Sequence, residues 1–503
     1  MQFKKLTIAG LLITLGVAYK PVLDKTSTDK QVQVKPVAEV AIYEENNGKQ
    51  PVQAELLAKI AAGYAKLGQQ DKASKLLTSA IQTIKINKSI RIKTNLLEQL
   101  DIIYIEMGQY DKALQVAKSL YKYQLLNPNV SISLAHIATQ FIQVGQYEKA
   151  LQLTKLKTYQ YSPESILMSE IGLRYAQTGQ KAQAQQILAQ ALQKVKSSRY
   201  EIAEIALKYA QFGQKTKALQ LLVQASQNIE YPDYIAEMAV KYGQLGQKDK
   251  AEQLLTQALQ KVRKPNESVF NSRDYYLTKI AIAYAEIGQF NQAIETAKTI
   301  NYPGSDVYNR QDIYITPEGL VDGSNDLDVF TEIANKCAVA GQYEQALQVI
   351  QKIKFTINKS KALGVLALEY AKKNQYEQAF KVLKELDKLD FNKSKAWTNL
   401  AVDYGAKRQY EQAFKVLKEN VSFDSDKALA LPKIAAQATQ VEPSAKAAQV
   451  LSQALEVAQT IKSRDEKVRI ITAIAIEYIK IQQKDKSEQL LAQALQIAEN
   501  IHY

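Results

Sequence analysis

The chain is 503 residues long, 46% hydrophobic and 23% charged, with a formal net charge of +14, one cysteine and two histidines. One compact core does not accommodate that length, whereas a repeat array does, because its core lengthens as units are added. Glycine and proline, at 19 and 11, are too scarce for a turn-rich all-β layout; a lone thiol excludes an internal disulfide, and Cys337, His136 and His502 are too scattered for a zinc site.

The expected class is therefore all-α, with no cofactor. The positive excess is lysine, 56 Lys against 9 Arg, spread over the whole chain. Readers of phosphate and bases lean on the forked guanidinium of arginine. A dispersed lysine excess reads as a solvated surface, which argues against a nucleic-acid partner.

From the N-terminus, "MQFKK" supplies basic residues and "LTIAGLLITLGVA" (6–18) an apolar stretch. Gly16 and Ala18 have the small side chains that signal peptidase requires, so 1–18 reads as an export signal cleaved after Ala18, or as a short anchor. As a helix this stretch rises only about 20 Å, against roughly 30 Å of bilayer hydrocarbon, which favours the cleaved form. The expected location is the periplasm or cell envelope, with no membrane contact beyond this segment. Residues 19–50 are polar, aperiodic and contain two prolines, the composition of a disordered tether.

From residue 51 a phrase returns: "YAQTGQKAQA" at 175–184, "YAQFGQKTKA" at 209–218, "YGQLGQKDKA" at 242–251. Its glycine slot holds Gly68, Gly108, Gly145, Gly179, Gly213, Gly246, Gly288 and Gly341, then Asn374, Arg408, Glu442 and Gln482. That makes about 12 units with a base period near 34. Four residues before the slot runs an aromatic column, including Tyr64, Tyr175, Tyr209, Tyr242 and Tyr404, with Cys337 and Ala438 as exceptions. Four earlier again is an aliphatic column, such as Ile60, Ile171 and Ile205. The four-residue step puts both on one helical face, the buried stripe of a first helix. Three before the aromatic the residue is small, as at Ala61, Gly172 and Ala206, which admits a neighbouring helix. The slot ends the first helix in the left-handed conformation, and an alanine five later, as at Ala73, Ala184 and Ala251, opens the second. One such hairpin cannot bury both faces and must stack on the next.

The aromatic, the glycine four later and the alanine nine later resemble the tetratricopeptide repeat signature, and Trp397, seven before Tyr404, matches that pattern's tryptophan. The resemblance covers roughly 51–503; the chain lacks the family's closing proline and has only one tryptophan. It implies a right-handed superhelical α-solenoid whose first helices line a concave groove for proteins or peptides. Within it, "NYPGSDVYNRQDIYITPEGLVDGSNDL" has no helical period. Residues 301–326 are thus expected to be an inter-array loop parting seven units (51–300) from five (327–503).

The resemblance implies that positions five before and two after the aromatic line the groove, two helical turns apart. They hold Glu170 with Gln177, Glu204 with Gln211, Glu237 with Gln244, and His136 with Gln143; Glu332 reappears past the loop. Carboxylates beside amides at regular spacing suit a basic extended chain. No nucleophile elbow, phosphate loop, zinc-protease motif or dinucleotide fingerprint occurs. The expected function is a non-catalytic, exported scaffold for a protein or peptide of unknown identity, its oligomeric state unassigned. The alternative is an RNA-binding array of pentatricopeptide type, which the charge supports and the scarcity of arginine opposes.

Overall fold

The glycine slot is where every unit turns. The computed structural model describes residues 37–86, 89–123, 127, 130–156, 164–195, 198–263, 273–300, 314–316, 319–321, 328–354, 356–387 and 393–501, with only the backbone path at 37–51, 86, 131, 263, 314–316, 319–321 and 387. At the eight slot glycines φ lies between 70° and 89°, and Asn374, Arg408 and Gln482 adopt the same region at 62°, 61° and 63°. Glu442 departs from the pattern, with φ −102° before Pro443, which caps the next helix. The glutamine after the slot then ties the turn together. Gln69 N–H donates to Tyr64 O at 2.9 Å, while Gln69 O accepts from Ala73 N–H at 3.1 Å. The former is the six-to-one bond of a Schellman cap, and Gln109, Gln146, Gln180, Gln214 and Gln247 repeat it.

Among the described residues, twenty-four helices pair into twelve hairpins. Units 1 to 4 are α1 (Val37–Lys66) with α2 (Gln70–Ile86), α3 (Ile90–Glu106) with α4 (Tyr110–Tyr121), α5 (Val130–Gln143) with α6 (Tyr147–Thr154), and α7 (Glu164–Gln177) with α8 (Lys181–Lys194). Units 5 to 8 are α9 (Arg199–Gln211) with α10 (Lys215–Ala225), α11 (Pro232–Gln244) with α12 (Lys248–Arg263), α13 (Arg273–Glu286) with α14 (Phe290–Lys298), and α15 (Val329–Val339) with α16 (Tyr343–Ile350). Units 9 to 12 are α17 (Thr356–Lys372) with α18 (Tyr376–Asp387), α19 (Lys393–Ala406) with α20 (Tyr410–Glu419), α21 (Asp424–Val441) with α22 (Ser444–Gln459), and α23 (Arg464–Lys480) with α24 (Lys484–Glu499).

The columns supply the core. Ile60, Ile137, Ile171, Ile205 and Ile280 are fully buried, as are the alanines that open the second helices from Ala113 to Ala447, with Ser487 in the last unit. At Gly172 an added Cβ would stand 2.9 Å from Leu188 Cγ and 3.3 Å from Ala184 O, so the small column is where the two helices of a hairpin cross. Between units, a tyrosine opening one second helix meets the next unit's column aromatic. Ring centroids lie 4.5 Å apart for Tyr147–Tyr175, 4.3 Å for Tyr343–Tyr370 and 4.5 Å for Tyr376–Tyr404.

Two observations bear on the expected boundaries. α1 begins at Val37, inside the stretch read as an unstructured tether. Residues 47–503, on both sides of the 301–326 excursion, form one compact unit. Across its base α13 and α14 pack on α15, with Lys336 Nζ 3.1 Å from Glu286 Oε1 and Gln345 Nε2 donating to Asn291 Oδ1 at 2.8 Å. The excursion itself carries an antiparallel pair, β1 (Tyr314–Thr316) and β2 (Gly319–Val321), in register Ile315 to Leu320.

The stack also closes on itself, which the repeat pattern does not announce. Unit 12 docks on unit 1 in the register of ordinary neighbours. Arg469 of α23 grips Glu55 of α1 with both arms, Nε–Oε1 at 3.3 Å and Nη2–Oε2 at 3.0 Å; both residues stand nine before their column tyrosines. Tyr275 and Asp233, joined at 3.4 Å between units 7 and 6, hold those same positions. Lys72 Nζ lies 2.9 Å from Glu488 Oε1, and the Gln69 amide bonds Glu488 just as Gln289 bonds Glu252 between units 7 and 6. Gln53 Nε2 donates to Ala498 O at 3.3 Å, and a Cβ on Gly63 would come within 2.6 Å of Leu491. In an open stack the end hairpins would each leave an apolar face bare; here Leu56 and Ile60 at one end, and Leu491, Ala494 and Ala498 at the other, are fully buried.

Candidate functional site

The carboxylates five residues before the column aromatic fall on the first helices, half-buried, and their paired glutamines Gln143, Gln177, Gln211 and Gln244 are exposed. The structure joins the carboxylates to lysines of the following unit. Glu170 Oε2 lies 2.6 Å from Lys208 Nζ, and its other oxygen accepts from Arg174 Nε at 3.2 Å. Glu204 is held in the same way by Lys241. Both lysines stand immediately before a column tyrosine, so each rung runs from one first helix to the next. Gln177 accepts from Arg174 Nη1 at 3.1 Å.

Glu237 and Glu332 differ. Burial pushes both carboxyls above the usual range, most strongly opposed by Lys241 at Glu237 and by Lys336 at Glu332. His136 makes another kind of rung: its Nδ1 lies 2.9 Å from Glu98 Oε1 of unit 2, whose other oxygen accepts from Ser133 Oγ at 2.5 Å. Donating that hydrogen bond to Glu98 raises the imidazole above its ordinary value, and Gln140 Nε2 sits 3.2 Å from its other nitrogen. In units 9, 10 and 12 the acid moves to the position before the tyrosine, as Glu369, Asp403 and Glu477. Asp403 accepts from Tyr376 Oη at 3.5 Å and pairs with Lys407 at 2.9 Å, while Glu477 accepts from Thr439 Oγ1 and pairs with Lys480 at 2.7 Å. Sequence reasoning found the glutamates and missed the lysines. Their signal is Glu followed 37 or 38 residues later by Lys, one unit plus one helical turn.

Chemically, these rungs stiffen the first-helix face, and a basic segment lying along it competes with Lys208 and Lys241 for the same oxygens. Cys337 is buried in its aromatic column, where loss of hydration pushes the thiol up to about 11. Among the described residues no group of three or more His, Cys, Asp or Glu is placed to hold a metal ion. His502 lies outside the described residues. No described helix is long and apolar enough to cross a membrane, and the apolar 6–18 stretch also lies outside the described residues.

No protein-family model matches the chain, and no curated protein does. Among solved structures, Ton1535 from Thermococcus onnurineus NA1 is 16% identical over 81% of this chain and 99% of its own, with a TM-score of 0.24. Cut9 in the APC/C hetero-tetramer Cut9–Hcn1 is 13% identical over 87% of this chain and 86% of that one, with a TM-score of 0.27. The human IFIT1 dimer with PPP-AAAA is 15% identical over 90% and 95%, with a TM-score of 0.24. The fold of twelve repeat hairpins is established by the chain's own turns and columns.

Proposed function

We propose that the chain is a non-catalytic scaffold of the cell envelope that holds protein or peptide partners. The observation that carries this reading is the closed stack, with unit 12 docked on unit 1 through Arg469–Glu55 and Lys72–Glu488. Closure and the Glu–Lys rungs fix the backbone and much of the first-helix face before any partner arrives. A preorganised surface loses little entropy on binding, which is what a scaffold requires. The basic start and apolar 6–18 stretch support export. The test is to fix the purified chain on a support, pass the envelope fraction over it and map the contacts of retained proteins by cross-linking. Retained partners cross-linked to the array support the reading; retention no greater than by a chain of scrambled surface removes it.

A further inference from the structure

The starts of the first helices, with the ends of the second helices that precede them, make one rim of the stack, and on units 5 to 7 that rim is aromatic. Tyr200, Tyr231 and Tyr234 are 48%, 59% and 51% exposed. Tyr231 caps α11 and Tyr234 lies in its first turn, with ring centroids 6.2 Å apart and edge to face. The next unit continues the patch with Tyr275 and Tyr276, 5.4 Å apart. Tyr275 Oη reaches Asp233 Oδ2 at 3.4 Å, and Lys241, on α11, lies 5.9 Å over the Tyr200 ring of α9. The patch is thus contiguous across three units. Exposed aromatic clusters of this kind mark contact surfaces, because rigid rings bury much area while losing little side-chain entropy.

Carboxylates stand beside the rings. Asp233 keeps one oxygen, Oδ1, buried and without a hydrogen-bond partner, and Glu237 lies one turn further along the same helix. The nearby cations are engaged within the fold: Arg199 donates to Asn228 O at 3.1 Å, Arg273 to Thr299 O at 3.3 Å, Lys241 holds Glu204, and Lys279 lies 5.7 Å over the Tyr275 ring, where its charge also acts on Glu237. A polyproline II segment repeats every three residues, about 9 Å, and packed helices lie about 8–10 Å apart. A proline-rich strand crossing α9, α11 and α13 therefore meets one tyrosine notch per turn, the mode by which such segments dock on aromatic grooves.

Resting on the scaffold reading above, we infer that the tyrosine rim of units 5 to 7 binds a proline-rich, lysine- or arginine-bearing peptide segment. Prolines pack on the rings, and the basic side chains meet Asp233 and Glu237. The same carboxylates repel a phosphate backbone.

The test is fluorescence anisotropy of the full chain with labelled Pro-Pro-Lys repeats, Gly-Ser-Lys repeats of equal charge, and oligouridine. Pro-Pro-Lys is expected to bind saturably and about tenfold or more tighter than Gly-Ser-Lys. The double variant Tyr231→Ser/Tyr234→Ser is expected to lose about tenfold in affinity with an unchanged thermal melt, since both rings are exposed. Equal binding of the two peptides, no binding of either, or an unaffected variant overturns the inference. So does oligouridine binding that the variant abolishes, which marks a nucleic-acid rim instead. Envelope partners retained equally by parent and variant overturn the rim while leaving the scaffold reading in place.

Discussion

Asp101 occupies the small-residue column of unit 2, where Ala61 and Ala138 stand in the flanking units. It is fully buried and neither carboxylate oxygen has a hydrogen-bond partner. Burial, and then the charge of Glu98, push its carboxyl from 3.8 up to about 9. The unfolded chain ionises this group near 3.8 and the folded chain near 9, so folding takes up a proton at every pH between. The stability penalty is absent below the lower value, grows by about 1.4 kcal/mol per pH unit, and levels off above the upper one. At pH 7 the window spans roughly three units, a penalty of at most ~4 kcal/mol, which local water entry reduces. Asp101→Ala removes the carboxyl and restores the column residue. Urea unfolding at pH 5, 7 and 9 is expected to show a gain of about 1–4 kcal/mol at pH 7 and a flatter pH profile in the variant. A variant no more stable than the parent at pH 7, or one with the parent's pH slope, refutes the reasoning.

Three further perturbations have defined outcomes. Gln482 holds the slot at φ 63°. Gln482→Gly should raise stability by about 0.5–1 kcal/mol through relief of left-handed strain, read by thermal melting, with a loss contradicting it. The Cys337 thiol, buried and raised to about 11, should resist a disulfide-exchange reagent at pH 8 until the chain is denatured; rapid native labelling would be inconsistent with its burial. Gly63→Leu drives a side chain into Leu491, 2.6 Å from the added Cβ. It should cost about 1–3 kcal/mol by overpacking the joint of units 1 and 12, whereas an unchanged melt means that joint is open.

The units were legible because their signals are local. A slot residue, an aromatic four before it and an alanine five after it fix one hairpin, and the slot was readable even where Asn374, Arg408 and Gln482 replace glycine. The start of α1 was not legible, because Val37–Gln50 mixes apolar and polar residues without a helical stripe. The length of the 301–326 excursion suggested a break, yet the contacts spanning it, Lys336–Glu286 and Gln345–Asn291, come from columns that continue in register on either side. Of the first-helix face the sequence showed the glutamates, and the resemblance placed them on a shared surface. It hid their partners, since Lys208 and Lys241 pair across units rather than within one helix. Closure was least legible: whether the small rotation between units sums to a full circle is a property of every joint together. Contacts such as Arg469–Glu55 and Lys72–Glu488, more than four hundred residues apart, record the result.

The closed ring is tested most directly by a zero-length carbodiimide cross-link, which joins an amine only to a carboxylate already in contact. Lys72 and Glu488 lie 2.9 Å apart, and Lys208–Glu170, at 2.6 Å inside the array, serves as the internal standard. In the monomeric fraction, mass spectrometry is expected to find Lys72 joined to Glu488 alongside the standard. A Lys208–Glu170 link with no Lys72–Glu488 link, or a Lys72–Glu488 link confined to dimers, would contradict closure within one chain.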